Sequence, residues 1–226
     1  MTTRSGAKGL HLLAGIMVFA AMTLILGAIS QDIINHKPFT AADAQLSTWL
    51  YARRSSSLTS VMLAATLLGS IGIATCISVA FGLYLLWRRR FFWLTVLVSS
   101  VTGGALLNRL LKYAFQRPRP HFDDPILRLT SYSFPSGHTM MATVLYGVIA
   151  AYVFAKTPDR RWRSVIILAA SFLIALVGFS RIYLGAHYLS DVLGAMAEGL
   201  AWLSLCFSVV YFIWRQRQGP RKNVSP

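Results

Sequence analysis

Charge is scarce in this chain, and acid most of all: 13% of the 226 residues are charged, with Asp+Glu 7 against Lys+Arg 22. Soluble proteins carry about 25% charged residues. A nucleic-acid binder, which spreads basic charge densely over its surface, is therefore excluded despite a formal net charge of +15 and a pI near 10.6. The basic excess has to be confined to a few places. Cysteine is almost absent, and Cys76 and Cys206 each sit inside a long apolar run, so neither a disulfide framework nor a zinc site is available; both are expected as small core hydrophobes. No internal repeat or low-complexity tract is visible. Hydrophobic side chains make up 55% of the chain and the mean hydropathy is +0.56, which excludes a disordered polypeptide.

What the sequence has in abundance is charge-free length. No residue between Arg54 and Arg88 is charged, and about 20 predominantly apolar residues suffice for a helix to cross a bilayer. Residues 9–30, 91–108, 139–155, 164–180 and 192–214 pass the same test, the last interrupted once by Glu198. This pattern predicts an all-α polytopic membrane protein with six transmembrane helices, built as a single domain over 1–226 with short polar tails at 1–8 and 215–226. The first run exceeds the h-region of a signal peptide, about 7–15 residues, and no Ala-x-Ala site follows it, so it is expected as a span.

Lys and Arg fall unevenly across the connections, which orients a membrane protein. One side holds Arg4, Lys8, Arg88, Arg89, Arg90, Lys156, Arg160, Arg161, Arg163, Arg215, Arg217, Arg221 and Lys222, with Asp159 its only acid. The other holds Lys37, Arg53, Arg54, Arg109, Lys112, Arg117, Arg119, Arg128 and Arg181. Both termini are thus expected in the cytoplasm of a bacterial-type inner membrane, and the connections after the first, third and fifth helices at the outer face. Most of the net charge is a topology signal.

The outer connections also hold the chemistry. Lys112, Arg119 and Pro120 lie in the first segment, Pro135, Ser136, Gly137 and His138 in the second, and Ser180, Arg181, His187 and Asp191 in the third. Ser136, Gly137 and His138 open the fourth helix, where Ser is expected to cap, Gly permits close backbone approach, and free N–H groups with the helix dipole favour an anion. Lys112, Arg119 and Arg181 on the same face supply the cations that hold a phosphoryl group. His187 and Asp191, four apart, share a helical face, so the carboxylate can fix the imidazole tautomer and leave the other nitrogen free to attack. His138 is placed to protonate a leaving oxygen. Phosphoryl transfer through a phosphohistidine, later hydrolysed by water, is the reaction class this predicts.

These segments resemble the signatures of the type 2 phosphatidic acid phosphatase superfamily, Lys-x6-Arg-Pro, Pro-Ser-Gly-His and Ser-Arg-x5-His-x3-Asp, over about 109–194. The resemblance implies that Lys112, Arg119, Ser136, Gly137 and Arg181 bind the phosphate, that His187 is the nucleophile, His138 the acid and Asp191 the group that orients His187, and that no metal or other cofactor takes part. It implies a lipid phosphate or diphosphate in the bilayer as substrate, with undecaprenyl diphosphate, phosphatidylglycerol phosphate and phosphatidic acid all fitting, and no nucleic-acid partner. A phosphotransferase using the same intermediate and a lipid or anion transporter are the rival readings. Broken helices with paired repeats would favour the transporter, and the sequence displays neither. The related vanadate-dependent haloperoxidases resemble soluble helical proteins, which six spans disfavour.

Taken alone, cations at an outer interface are snorkelling anchors, and a His–Asp pair is worth a few tenths of a kcal/mol on a helix surface. The joint spacing favours chemistry. Arg117, His121, Asp123, Asp124 and Arg128 have no assigned role and are expected to be solvated or mutually paired. Glu198, an acid inside a span, lies roughly 16 Å along the helix from His187 and is expected to be neutral or bonded to a neighbouring helix. The Gly103–Gly104 pair and Gly178 are expected at close helix contacts, Trp49, Tyr51, Trp93 and Trp162 at the interface, and residues 45–56 as an amphipathic helix lying flat near the mouth of the site.

Overall fold

The computed structural model describes residues 3–35 and 38–217, among which there is no strand. Eight helices follow in chain order: α1 (Thr3–Ile34), α2 (Pro38–Ala52), α3 (Ser56–Leu67), α4 (Ile71–Trp87), α5 (Phe91–Phe115), α6 (Gly137–Lys156), α7 (Arg160–Tyr183) and α8 (Leu189–Arg217). Met1, Thr2, His36, Lys37 and residues 218–226 lie outside the described residues, and with them the ends of both expected tails, including Arg221 and Lys222. The described parts of those tails are helical, since α1 begins at Thr3 and α8 continues to Arg217.

Five of the expected spans are single helices, α1, α5, α6, α7 and α8, each with a stretch long and apolar enough to cross a bilayer. The charge-free segment before Arg88 is different: it divides into α3 and α4, bent by 43°. The break is built from local chemistry. Ser70 Oγ donates to the Leu67 carbonyl at 2.7 Å and caps the start of α4, while the Leu68 carbonyl, released from the helical ladder, accepts from Tyr146 Oη of α6 at 2.9 Å. A freed backbone group inside a membrane needs such a partner. Between them sits Gly69, where a Cβ would meet the His138 carbonyl oxygen and a Val177 methyl, each at 2.6 Å. The expectation of unbroken helices is thereby corrected. Hydropathy missed the break because every residue of it is uncharged and compatible with a span.

The central element is α6, which packs against α4, α5, α7 and α8. Residues 139–145 of α6 are buried all round, as a helix with apolar and small residues on every face must be. Leu85, Val96, Leu97, Leu145, Val148 and Leu203 form the main core with it. Small residues bring backbones close, as membrane helix pairs require: Trp202 of α8 lies over Gly103 and Gly104 and donates to the Ser100 carbonyl at 3.1 Å, and a Cβ at Gly178 would meet Val192 of α8 at 2.7 Å. Trp93 packs edge-on against Tyr152 and Phe207 instead of standing alone at the interface. Cys206 is buried, but Cys76 is exposed on α4, facing where lipid would lie; an apolar run does not distinguish the two faces.

The helix expected over 45–56 starts earlier, at Pro38, and ends at Ala52. Its inward stripe is Asp43, Ser47 and Leu50, all buried, whereas Trp49 is exposed with Arg53 stacked 4.3 Å above its ring. A polar face of α2 therefore turns toward the bundle, packing on α7 and α8.

Candidate active site

The three signature segments meet where α5 ends and α6 and α8 begin. Gln116, with φ of 46°, ends α5 in a left-handed residue whose N–H bonds the Lys112 carbonyl. The chain then runs without regular structure to Ser136, and the cations of the first signature brace it. Lys112 Nζ donates to the Tyr132 and Ser133 carbonyls at 2.8 and 3.3 Å. Arg119 Nε donates to the Ser131 carbonyl at 2.6 Å, and its Nη2 to Ser131 Oγ and the Tyr132 carbonyl. Phe134, fully buried, wedges edge-on against Phe115 at 5.0 Å and over Gly194.

Ser136 is the N-cap residue of α6, but its side chain makes no capping hydrogen bond. Its hydroxyl pairs with Thr139 Oγ1 at 3.0 Å instead, and its N–H donates to the Asp191 carbonyl at 3.1 Å. The expected cap is thus corrected: the first turn of α6 keeps its N–H groups free of the Ser136 hydroxyl, which is the arrangement an anion at a helix N-terminus uses.

At the end of α7, Arg181 turns its carbonyl to accept the N–H groups of both Ala186 and His187, at 3.0 and 3.2 Å. The tight return needs Gly185 at φ of 68°, a left-handed conformation that suits glycine. Arg181 Nη1 donates to Thr66 Oγ1 of α3 at 2.9 Å, while its buried Nε has no partner among the described residues. His187 precedes the first residue of α8, so the pair with Asp191 spans a helix start instead of a helix face. Its Nδ1 lies 3.4 Å from Asp191 Oδ2, which also accepts the Tyr188 N–H at 2.9 Å and a short bond from Ser133 Oγ. Nε2 of His187 faces Arg119 Nη1 at 3.2 Å.

Lys112, Arg119, Gly137, His138, Arg181 and His187 line one cavity of about 430 Å³, whose other wall is apolar, with Ile71, Ala105, Met140 and Met141. Ser136 and Asp191 stand behind this wall, fully buried. Six of the eight sequence-derived candidates thus reach the cavity, and the other two touch it through their neighbours. Burial pushes the His187 imidazole far below its ordinary 6.5, to about 3; Asp191 pulls upward, and the Arg119 and Arg181 charges push further down. Among the described residues, no group of three or more His, Cys, Asp or Glu is placed to hold a metal ion.

Two residues were missed. Arg117, expected to be solvated or paired with its loop neighbours, is buried and bridges two carboxylates outside that loop, Asp43 at 3.0 Å and Asp191 at 2.6 Å. Arg117 stands two residues before Arg119, and regular alternation would put both side chains on one face; the irregular chain after α5 separates them instead, so spacing offered no signal. Asp43 had none, because nothing in sequence joins α2 to the signatures. Glu198 accepts from Asn108 Nδ2 of α5 at 2.8 Å, a bond to a neighbouring helix.

A polytopic helical membrane protein with a cation-lined cavity, and with a buried imidazole against it, has the build of a membrane phosphatase. The chain belongs to the PAP2 superfamily, whose sequence profile matches residues 92–215. It is 32% identical over 187 residues to phosphatidylglycerophosphatase B of Bacillus subtilis (strain 168), covering 82% of this chain and 89% of that one. It is 35% identical over 148 residues to a lipid A 1-phosphatase of Rhizobium johnstonii, covering 62% of this chain and 54% of that one. The crystal structure of a transmembrane PAP2-type phosphatidylglycerolphosphate phosphatase from Bacillus subtilis superposes with a TM-score of 0.77 at 28% identity, covering 91% of this chain and 98% of that one.

Proposed function

We propose that this protein hydrolyses a lipid phosphate at the outer leaflet of a bacterial cytoplasmic membrane through a phosphohistidine on His187, with phosphatidylglycerol phosphate as the leading substrate. The observation that carries this reading is the two-sided cavity. Its cationic end holds His187 Nε2 and its other wall is apolar, which suits a phosphate whose acyl tail stays in the bilayer. The names of the Bacillus relatives support the choice among headgroups, and undecaprenyl diphosphate and phosphatidic acid have the same two-part chemistry.

In the reaction, Lys112, Arg119, Arg181 and the N–H groups at Gly137 draw the phosphate oxygens together and offset their charge. Asp191 accepts from Nδ1–H of His187, so that the lone pair lies on Nε2, which attacks phosphorus. His138, on the rim of the same cavity, donates its proton to the departing lipid oxygen and then takes one from the water that hydrolyses the phosphohistidine. The bias of Lys and Arg supports cytoplasmic termini and an outward-facing site.

The test is inorganic phosphate release by purified protein from phosphatidylglycerol phosphate, undecaprenyl diphosphate and phosphatidic acid, with and without chelator, beside His187→Ala. Release by wild type, retained with chelator and lost in the variant, is expected. Full activity in His187→Ala overturns the phosphohistidine, and activity confined to soluble esters overturns the lipid assignment.

A further inference from the structure

Behind the cavity lies a buried charge cluster that the phosphate chemistry does not use directly. We propose that Asp43 of α2 and Arg117 are positioning residues for the phosphatase reaction, holding Asp191 in the orientation that serves His187, so that the first outer helix is part of the catalytic apparatus. The inference rests on the reading of His187 and Asp191 given above.

The geometry is that of a divided fork. Arg117 Nη1 lies 2.6 Å from Asp191 Oδ1 and Nη2 lies 3.0 Å from Asp43 Oδ2, while the guanidinium face stacks 4.3 Å over the Tyr188 ring. Asp43, 2% exposed, also accepts the Ser190 N–H with Oδ1 at 3.0 Å and the Ser190 hydroxyl with Oδ2. Ser190 is the second residue of α8. A carboxylate of α2 thus supplies from outside the cap for an orphan N–H of α8.

The consequence for Asp191 is specific. Its Oδ1 is taken by Arg117, and Oδ2 by the Tyr188 N–H and Ser133 Oγ, with His187 Nδ1 at 3.4 Å on the same oxygen. A guanidinium free of other ties prefers to grip one carboxylate with both nitrogens. Asp43 prevents this by holding Nη2, and so leaves Oδ2 of Asp191 to the imidazole. Without Asp43, the fork is released to close on both oxygens of Asp191 and compete with His187. Asp43 also lies outside residues 92–215, the part of the chain that the family profile matches, so no signature contains it.

The experiment uses the full chain in detergent micelles with phosphatidylglycerol phosphate. Asp43→Asn keeps an oxygen for the Ser190 N–H but gives up the charge that holds Arg117. It is expected to lower kcat roughly tenfold or more with KM changed less than about twofold, and with the thermal unfolding midpoint close to wild type. A role exercised through Asp191 also predicts that the same substitution produces no further loss of kcat in an Asp191→Asn background, whose residual turnover is followed over hours. Arg117→Lys asks the question again should Asp43→Asn not fold, because a single ammonium nitrogen lacks the planar fork whose two separate nitrogens reach Asp43 and Asp191; its kcat loss is likewise expected to vanish in the Asp191→Asn background. An equal loss in both backgrounds, a change in KM alone, or kcat within twofold of wild type overturns the proposal. Failure of wild type to release phosphate, or full activity in His187→Ala, defeats the underlying reading instead, so the two failures are told apart by the controls.

Discussion

Arg119 Nη1 stands 3.2 Å from Nε2 of His187 and donates to the Ala186 carbonyl at 2.6 Å, so one guanidinium is tied both to the imidazole and to the backbone just before it. Nε and Nη2 of the same group are occupied by Ser131 and Tyr132. A lysine at this position keeps the charge and loses the planar fork. Arg119→Lys is expected to lower kcat/KM for a lipid phosphate by about 10²–10³, the usual cost of one displaced transition-state donor. Phosphate release measured over a substrate series decides it, and a variant retaining more than about a tenth of wild-type kcat/KM speaks against Arg119 as a ligand of the transferred group.

The nucleophilic role proposed for His187 requires an unprotonated imidazole, and burial holds its pKa at about 3, well under its ordinary 6.5. Activity is therefore lost as pH falls through the lowered value, and the acid limb of kcat/KM is expected well below pH 6.5. The same sign applies to stability. A base whose pKa is depressed on folding contributes stability that is fully present above its unfolded value and is lost as pH falls below it toward the folded one. A pH–rate profile of the wild type whose acid limb lies above pH 6.5 contradicts this picture.

How much of this was legible in sequence depended on whether the signal was local. Five spans and the six candidate residues that line the cavity follow from hydropathy runs and fixed spacings, which survive folding because each belongs to one helix or one turn. The break at Gly69 left no trace, since a glycine and a serine among apolar residues are ordinary in a span; its cause is the approach of His138 and Val177 from α6 and α7. Asp43 and Arg117 are separated by 74 residues and meet only because α2 lies against α8. Ser136 was placed correctly at the start of α6 but assigned the wrong bond, because Thr139 competes for its hydroxyl.

The break between α3 and α4 should matter to catalysis, since it sets Gly69 against the His138 carbonyl at the start of α6. Gly69→Ala introduces a methyl 2.6 Å from the His138 carbonyl oxygen and 2.6 Å from a Val177 methyl. Backbone cannot yield as a long side chain does, so α6 or the break must shift, at a cost of about 1–3 kcal/mol. A lower unfolding midpoint and a kcat reduced by roughly tenfold are expected, because His138, the acid proposed above, would be displaced with its backbone. Gly72, three residues on, has open space around it, and Gly72→Ala serves as the control that should leave both quantities near wild type.

Glu198 supplies the sharpest separation of structure from chemistry. The carboxyl is 1% exposed and accepts from Asn108 Nδ2 at 2.8 Å, while its Oε1 has no partner among the described residues. Asn108 in turn lines the cavity, so the hydrogen bond that ties Glu198 to the site runs through that amide. What Asn108 needs is an acceptor, and a carboxamide provides one. Glu198→Gln is accordingly expected to keep kcat within about threefold of wild type and to leave the unfolding midpoint nearly unmoved. Glu198→Leu fills the space and strands the amide donor, which costs about 1–3 kcal/mol, so its midpoint should fall by several degrees. Loss of turnover in Glu198→Gln with an unchanged midpoint would show instead that the carboxyl takes part in proton transfer.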